Sequence, residues 1–292
     1  MTGAGRLTIS LKTFSAEDPV SWAHLAEGAV AADQAGVHRL VLSDHVAMGE
    51  HLDAYGDPDR GGVAGGRQPT GPDGHWLEPL TTIAHLTALT SRVRFGTNIL
   101  LAALRRPVVL AKMAATVDVL SGGRLDLGVG VGWQREEYDA AGLAFGERGR
   151  LLDESLAVCQ HLWRDPVVPL NGAAVHQMPK PVQAGGVPVW VSGTVNSRSM
   201  RRLAAFGSGW IPWGADASDP ARSIPLMRRA VEDAGRDPAG IAVLAPAGGR
   251  PEAAAVARLR DAGVTDVLVY APALTAGALA DLAGSFAEGW QA

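Results

Sequence analysis

Along the chain, short apolar runs rich in β-branched residues alternate with longer stretches whose apolar positions recur every three to four residues. Side chains repeat with period 2 on a strand and 3.6 on a helix, so the short runs read as buried strands and the long ones as amphipathic helices. Strands are expected at 7–11, 39–43, 93–100, 125–131, 187–192, 209–213, 241–245 and 267–270. Helices are expected at 21–35, 79–90, 107–120, 147–163, 197–206, 220–234, 251–262 and 275–288. The punctuation agrees: Gly36, Gly207, Gly235 and Gly263 fall where helices should stop, and Pro107 and Pro251 where helices can start. Eight strands, each followed by a helix, imply a parallel sheet, and the repeat count favours an α/β fold of the (β/α)8 TIM-barrel type over an open doubly wound sheet. Residues 1–292 are accordingly read as a single barrel domain.

Three features break the rhythm. Residues 49–75, after the second strand, are too long and too rich in Gly and Pro for an ordinary strand-to-helix connection. In a barrel that position lies on the C-terminal face, where active sites sit, so the insertion reads either as a lid over substrate or as a disordered excursion. Residues 164–187 form a second irregular stretch, read as another excursion on the barrel rim. The third feature is "LSGGRLDLGVGVGW", where Gly128, Gly130 and Gly132 fall on every second position of a buried strand. One strand face is thereby left without side chains, at a cost in strand stability, and something flat or another stretch of main chain must come close to it. Close packing of barrel layers is the alternative explanation.

Composition narrows the class of partner. With 47% hydrophobic and 19% charged residues the chain matches a soluble globular protein, and a net charge of −4 argues against nucleic acid or an anionic membrane as its main ligand. No apolar run approaches the ~20 residues needed to span a bilayer, and the opening MTGAGRLTISLK lacks the apolar region of a secretory signal. The single cysteine, Cys159, is spaced helically with Leu152, Leu156 and Trp163 and reads as core. One unpaired cysteine and no secretory signal fit the cytoplasm.

Candidate chemistry sits at strand ends. "GVGVGW" fails the dinucleotide fingerprint, because Trp133 stands where the third glycine should be. The second strand ends Ser43–Asp44–His45, and polar residues at the C-terminal end of a barrel strand are placed for catalysis. A histidine can give or take a proton near neutral pH, with an adjacent carboxylate setting its charge or tautomer; taken alone, the dipeptide is explained more simply by a strand-end pair facing water. Within the third strand, Gly96 interrupts an apolar run and suggests a bulge or a close backbone approach. After the fifth, Ser192–Gly193–Thr194 lead into a helix capped by Asn196 or Ser197. Its free N–H groups would cradle a phosphate, with charge added by Arg198, while Arg201 and Arg202 read as a solvated face. The remaining histidines show no metal-ligand spacing, so no metal site is expected, and neither G-x-S-x-G nor a P-loop is present.

The ordered set "LVLSDHV", "RVRFGTNILLAALRRPVVLAKMAATVDVLSGGRLDLGVGVGWQREEYDAAG" and "VPVWVSGTVNSRSMRRLAAFGSGWIPW" resembles the bacterial-luciferase-like superfamily, in particular its branch that uses the deazaflavin coenzyme F420. The resemblance runs from about residue 38 to 213. It implies a (β/α)8 barrel with the coenzyme ring in its C-terminal mouth, and a non-proline cis peptide at Asn98–Ile99, next to Thr97, backing the ring. By position, Asp44 and His45 would lie beside the ring, Gly130, Val131 and Gly132 would line its pocket, and Ser192, Gly193 and Thr194 would hold the phosphate. The implied activity is hydride transfer between F420 and a small organic substrate, with His45 as acid/base or ring-polarising residue and Asp44 setting its position. Trp133 occupies the place where members that oxidise sugar phosphates carry a glutamate, which points to a more apolar pocket with Trp76 and Trp213 as candidate walls. The resemblance leaves two alternatives: an FMN-dependent monooxygenase using O2 and fed by a reductase, and a non-catalytic F420-binding protein. It also implies a homodimer.

Overall fold

Eight parallel strands form where the period-2 pattern puts them: β1 (Arg6–Ser10), β2 (Arg39–Leu42), β3 (Arg94–Thr97), β4 (Leu125–Val129), β5 (Val189–Gly193), β6 (Gly209–Pro212), β7 (Ala242–Pro246) and β8 (Asp266–Val269). They close into a barrel in the order β1-β8-β7-β6-β5-β4-β3-β2. The computed structural model describes residues 5–60, 62–248, 251–271 and 274–292, so the chain's first four residues and Gly61 of the insertion lie outside the described residues. The helices are α1 (Ala23–Gln34), α2 (Pro79–Thr87), α3 (Pro107–Ser121), α4 (Arg135–Ala140), α5 (Arg148–Arg164), α6 (Ser197–Phe206), α7 (Ala215–Ser218), α8 (Pro220–Asp233), α9 (Ala253–Asp261) and α10 (Ala276–Gln291). Cys159 is fully buried in the core, as its spacing requires.

Alternation along each strand builds the two sides of the barrel wall. On β2, Leu40 and Leu42 join the cluster packed under the helices, whereas Val41 meets Trp190, Ile211, Leu244 and Leu268 in a separate inner cluster. Below that apolar layer lies a buried ionic floor. Arg39 Nε donates to Asp126 at 2.7 Å and its Nη1 to Asp266 at 2.8 Å, while Arg94 and Arg6 bring a second guanidinium to each carboxylate. Burial opposes ionisation of Asp126, but the Arg39 and Arg94 charges outweigh it and hold the carboxyl below its ordinary range.

Beside this floor, burial and then the Arg39 charge push His38 down to about 4. Between roughly pH 6.5 and 4 the unfolded chain therefore binds a proton that the native state refuses, and stability falls as pH drops through that window. Urea unfolding followed across this range should show the loss, and His38→Gln should make it shallower. An unchanged slope in the variant would remove His38 from the acid response.

Two strands, β3 and β4, stop short of their expected ends by more than a single residue. β3 ends at Thr97, and the chain leaves the ladder in a bulge that contains the cis peptide Asn98–Ile99. β4 ends at Val129, which keeps one isolated bridge to Leu100. The irregular stretch 164–187 contains a short antiparallel hairpin, Val168–Leu170 with Ala173–Val175. As a helix-to-strand connection it lies on the N-terminal side of the barrel, away from the mouth.

Candidate active site

The bulge after β3 explains the strand-four glycines. A β-carbon on Gly128 would collide with the Thr97 carbonyl oxygen, one on Gly130 would come 2.9 Å from Ile99 Cδ1, and one on Gly132 would come 2.7 Å from Leu101 Cδ2. The main chains are knitted across this contact: Leu100 N donates to the Gly128 carbonyl at 2.7 Å and Thr97 Oγ1 donates to the same oxygen at 2.6 Å. Of the two expectations for the bare face, these contacts match the close approach of another stretch of main chain, here the bulge after β3. Asn98 N in turn donates to the Leu42 carbonyl at 2.7 Å, bringing the bulge against the end of β2.

Asp44 and His45 part company immediately after β2. Asp44 accepts from Leu101 N at 2.8 Å and takes Arg105 in both arms, at 2.6 and 3.1 Å, while Arg105 also reaches Glu78 at 2.9 Å. Its carboxylate anchors the chain just past the bulge and does not orient His45, contrary to the role expected for it. Burial works against the Arg105 charge, but Asp44 and Glu78 more than restore it and raise its pKa.

The partner of His45 is Glu137, a residue the sequence reading gave no role. Glu137 stands in the first turn of α4 and is 2% exposed. One oxygen accepts from Val46 N at 2.8 Å and Ala47 N at 3.4 Å; the other lies 3.1 Å from His45 Nδ1. An ionised carboxylate only accepts, so Nδ1 carries the hydrogen and Nε2 is left to exchange a proton with a ligand. Its neighbour Glu136 pairs with His51, and Gln134 Nε2 donates to the Gly49 carbonyl at 3.3 Å. The start of α4 thereby holds the chain from His45 to His51 in place.

The insertion folds over the mouth. Leu52–Gly56 and Pro58–Arg60 form single 3-10 turns, and His75–Trp76 pairs antiparallel with Phe14–Ser15. Trp213 Nε1, from the end of β6, donates to the Gly62 carbonyl at 3.1 Å. Of the two expectations for residues 49–75, the described residues match the ordered lid.

At the end of β5, Ser192 and Gly193 are half-buried and Thr194 is exposed. Asn196 caps α6, accepting from Arg198 N and Ser199 N at 3.0 Å each. Two donors expected to be free for a phosphate are therefore taken by the chain itself. Beside them lies a groove of about 970 Å³ between the start of α5 and α6, bordered by Val131 of the β4 loop and by Arg148, Arg198, Arg201 and Arg202, with Glu147 and Glu154 on its rim paired to Arg150. Arg202 is not solvated as expected; it is buried and paired with Asp153. Arg148 makes no ion pair among the described residues and its buried Nε has no hydrogen-bond partner. Its charge is disfavoured by burial and then by Arg135 and Arg198, and its guanidinium lies 3.9 Å from the centre of the Phe145 ring.

A lidded (β/α)8 barrel with an oriented histidine at the end of its second strand and a basic groove at its mouth defines a ligand-binding barrel of the enzyme type. The chain belongs to the luciferase-like monooxygenase family, whose model matches residues 6–262. It is 30% identical over 254 residues to an uncharacterized protein of Mycobacterium tuberculosis (strain ATCC 25618 / H37Rv), covering 82% of each chain. It is 34% identical over 175 residues to the phthiodiolone/phenolphthiodiolone dimycocerosates ketoreductase of Mycobacterium tuberculosis (strain CDC 1551 / Oshkosh), covering 56% of this chain and 45% of that one. Among solved structures, an F420-dependent secondary alcohol dehydrogenase in complex with an F420-acetone adduct superposes with a TM-score of 0.71 at 15% identity, covering 97% of this chain and 99% of that one. The monooxygenase RslO1 from Streptomyces bottropensis gives 0.70 at 20% identity, covering 97% of this chain and 98% of that one. Oxidoreductases and monooxygenases thus share this fold, and among the described residues no helix is long and apolar enough to cross a membrane.

Proposed function

We propose that the protein is an F420-dependent oxidoreductase acting on a small, fairly apolar organic substrate. The groove lined by Arg148, Arg198 and Arg201 carries this reading. FMN ends in one phosphate, whereas F420 continues past its phosphate into a chain of glutamate carboxylates. Three arginines without carboxylate partners, one with an orphaned buried Nε, suit the longer polyanion. In this reading Thr97, Asn98, Ile99, Gly130, Val131 and Gly132 bed the ring, and Ser192, Gly193 and Thr194 stand beside the phosphate. When bound, the deazaflavin supplies a hydride donor or acceptor; the protein orients it and manages the proton. His45 Nε2 exchanges that proton with the substrate oxygen, and Glu137 keeps the imidazole in the required tautomer. The F420-dependent neighbour and the ketoreductase relative support the assignment.

Absorbance titration of the purified protein with F420 and with FMN tests it. F420 should bind at least about tenfold more tightly, and Arg148→Ala should weaken F420 by about tenfold, near 1.4 kcal/mol, while barely affecting FMN. Tighter binding of FMN, with turnover only in the presence of oxygen, would establish the monooxygenase reading instead.

A further inference from the structure

The starts of the barrel strands enclose a second charged space, at the end of the barrel away from the mouth. Arg6, Arg39 and Arg94 open β1, β2 and β3, Asp126 stands second in β4, and Ser208 directly precedes β6. All five line a cavity of about 490 Å³, a size that holds a small organic molecule. Pro188, Trp190 and Ile241 supply apolar wall, and His38 adds an imidazole.

Charge on the floor of this cavity does not balance. Three guanidiniums, of Arg6, Arg39 and Arg94, meet two carboxylates, of Asp126 and Asp266. The next carboxylate, Asp118, is not part of the wall. It accepts from Val182 N and from Gln183 Nε2, each at 2.7 Å, and Gln183 stands between it and Arg94. Arg94 is saturated, spending its nitrogens on Asp126, Gln183 and the Gly123 and Leu125 carbonyls. Arg39 is not. Its Nε and Nη1 serve Asp126 and Asp266, while Nη2 makes no hydrogen bond among the described residues, although the side chain is only 4% exposed. A buried guanidinium nitrogen beside open space is an unpaired donor, and an acceptor placed there gains a charge-assisted hydrogen bond. His38 shows the sign of the local field. After burial, the Arg39 charge is the largest cause of its lowered pKa; Arg6 and Arg94 act the same way, and only Asp266 opposes them.

We propose that this cavity is a binding site for a small organic carboxylate, its oxygens on Arg39 Nη2 and its apolar body against Pro188 and Ile241. One excess positive charge matches a monoanion, whereas a phosphate dianion would meet repulsion from Asp126 and Asp266 that outweighs the gain. The apolar layer of Val41, Ile211 and Leu268 separates the cavity from the mouth, so the site stands whether or not the coenzyme reading does.

Calorimetric titration with benzoate and with benzamide, its neutral counterpart of the same shape, tests the charge. Benzoate should bind at least about tenfold more tightly. Ser208 is exposed at the rim and holds the sheet through its main chain, donating to the Val189 carbonyl and accepting from Ala242 N, so its side chain can be changed in a folded protein. Ser208→Asp adds a carboxylate to the cavity and should abolish the benzoate preference. Ser208→Asn, of the same size, should stay within about threefold of the wild type; circular dichroism checks the fold of both. Arg148→Ala removes a cation from the groove at the mouth and should leave benzoate binding unchanged. Equal affinity for the two probes, binding of neither, a preference that survives Ser208→Asp, or one that is lost in Arg148→Ala overturns the proposal.

Discussion

In the proposed reading, His45→Ala is expected to lower turnover by about 10²-fold or more, the usual contribution of a positioned general acid or base, while F420 affinity stays within a few fold. The measurement is oxidation of reduced F420 in the presence of a ketone substrate, followed by absorbance under anaerobic conditions. Glu137 holds the loop through Val46 N and the ring through His45 Nδ1. Glu137→Gln keeps the size of the side chain and an acceptor for Val46 N, but its amide can also donate, so Nδ1 is no longer bound to carry the hydrogen. This variant should lose kcat by about tenfold or more with KM little changed, because a mis-set tautomer affects proton exchange and not substrate contact. A purely structural Glu137 would instead lower the melting temperature and leave kcat of the folded protein intact. Near-wild-type turnover in His45→Ala removes the histidine from the chemistry altogether.

The distribution of legible and illegible features follows from the range of the interactions involved. Strand and helix identity is set by neighbours within a few residues, and the expected elements lie within a few residues of the observed ones. The bulge after β3 was legible through the motif around Asn98 and Ile99. Glu137 was not, because it meets His45 across 92 residues and only the closed barrel brings the two together. Asp44 misleads for an elementary reason: consecutive residues of an extended chain point to opposite sides, so the carboxylate next to His45 in sequence faces Arg105 instead. The strand-four glycines were read correctly as a place of close approach, but periodicity cannot name what approaches. The arriving group is the Thr97 carbonyl with the Ile99 and Leu101 side chains. Tyr55 lies in a Gly- and Pro-rich stretch with no period at all, where only the tertiary contact to Trp133 and Trp213 reveals its position.

Removing the central carboxylate of the barrel floor should be the most destabilising of the changes considered. Asp126→Ala is expected to cost about 3–5 kcal/mol of unfolding free energy, the range for breaking a buried ion pair from one side. The carboxylate serves two guanidiniums, Arg39 at 2.7 Å and Arg94 at 2.8 and 2.9 Å, and the side chains of Arg39 and Asp126 are 4% and 6% exposed. Arg39 would keep Asp266 and its position 4.5 Å from the Trp190 ring centre, but with half its charge compensation gone at a buried position. Arg94 would keep Gln183 and two carbonyls, so most of the loss falls on Arg39. Asp126→Asn retains the size and one acceptor oxygen and should lose less, which provides a folded comparison if the alanine variant is insoluble. Urea unfolding at neutral pH measures both. The floor lies below the apolar layer of Val41, Ile211 and Leu268 that separates it from the mouth, so F420 affinity of the folded asparagine variant should be unchanged. A loss below about 1 kcal/mol, the range of solvent-exposed ion pairs, would mean that water reaches these charges and that the barrel is held shut by its apolar layers alone.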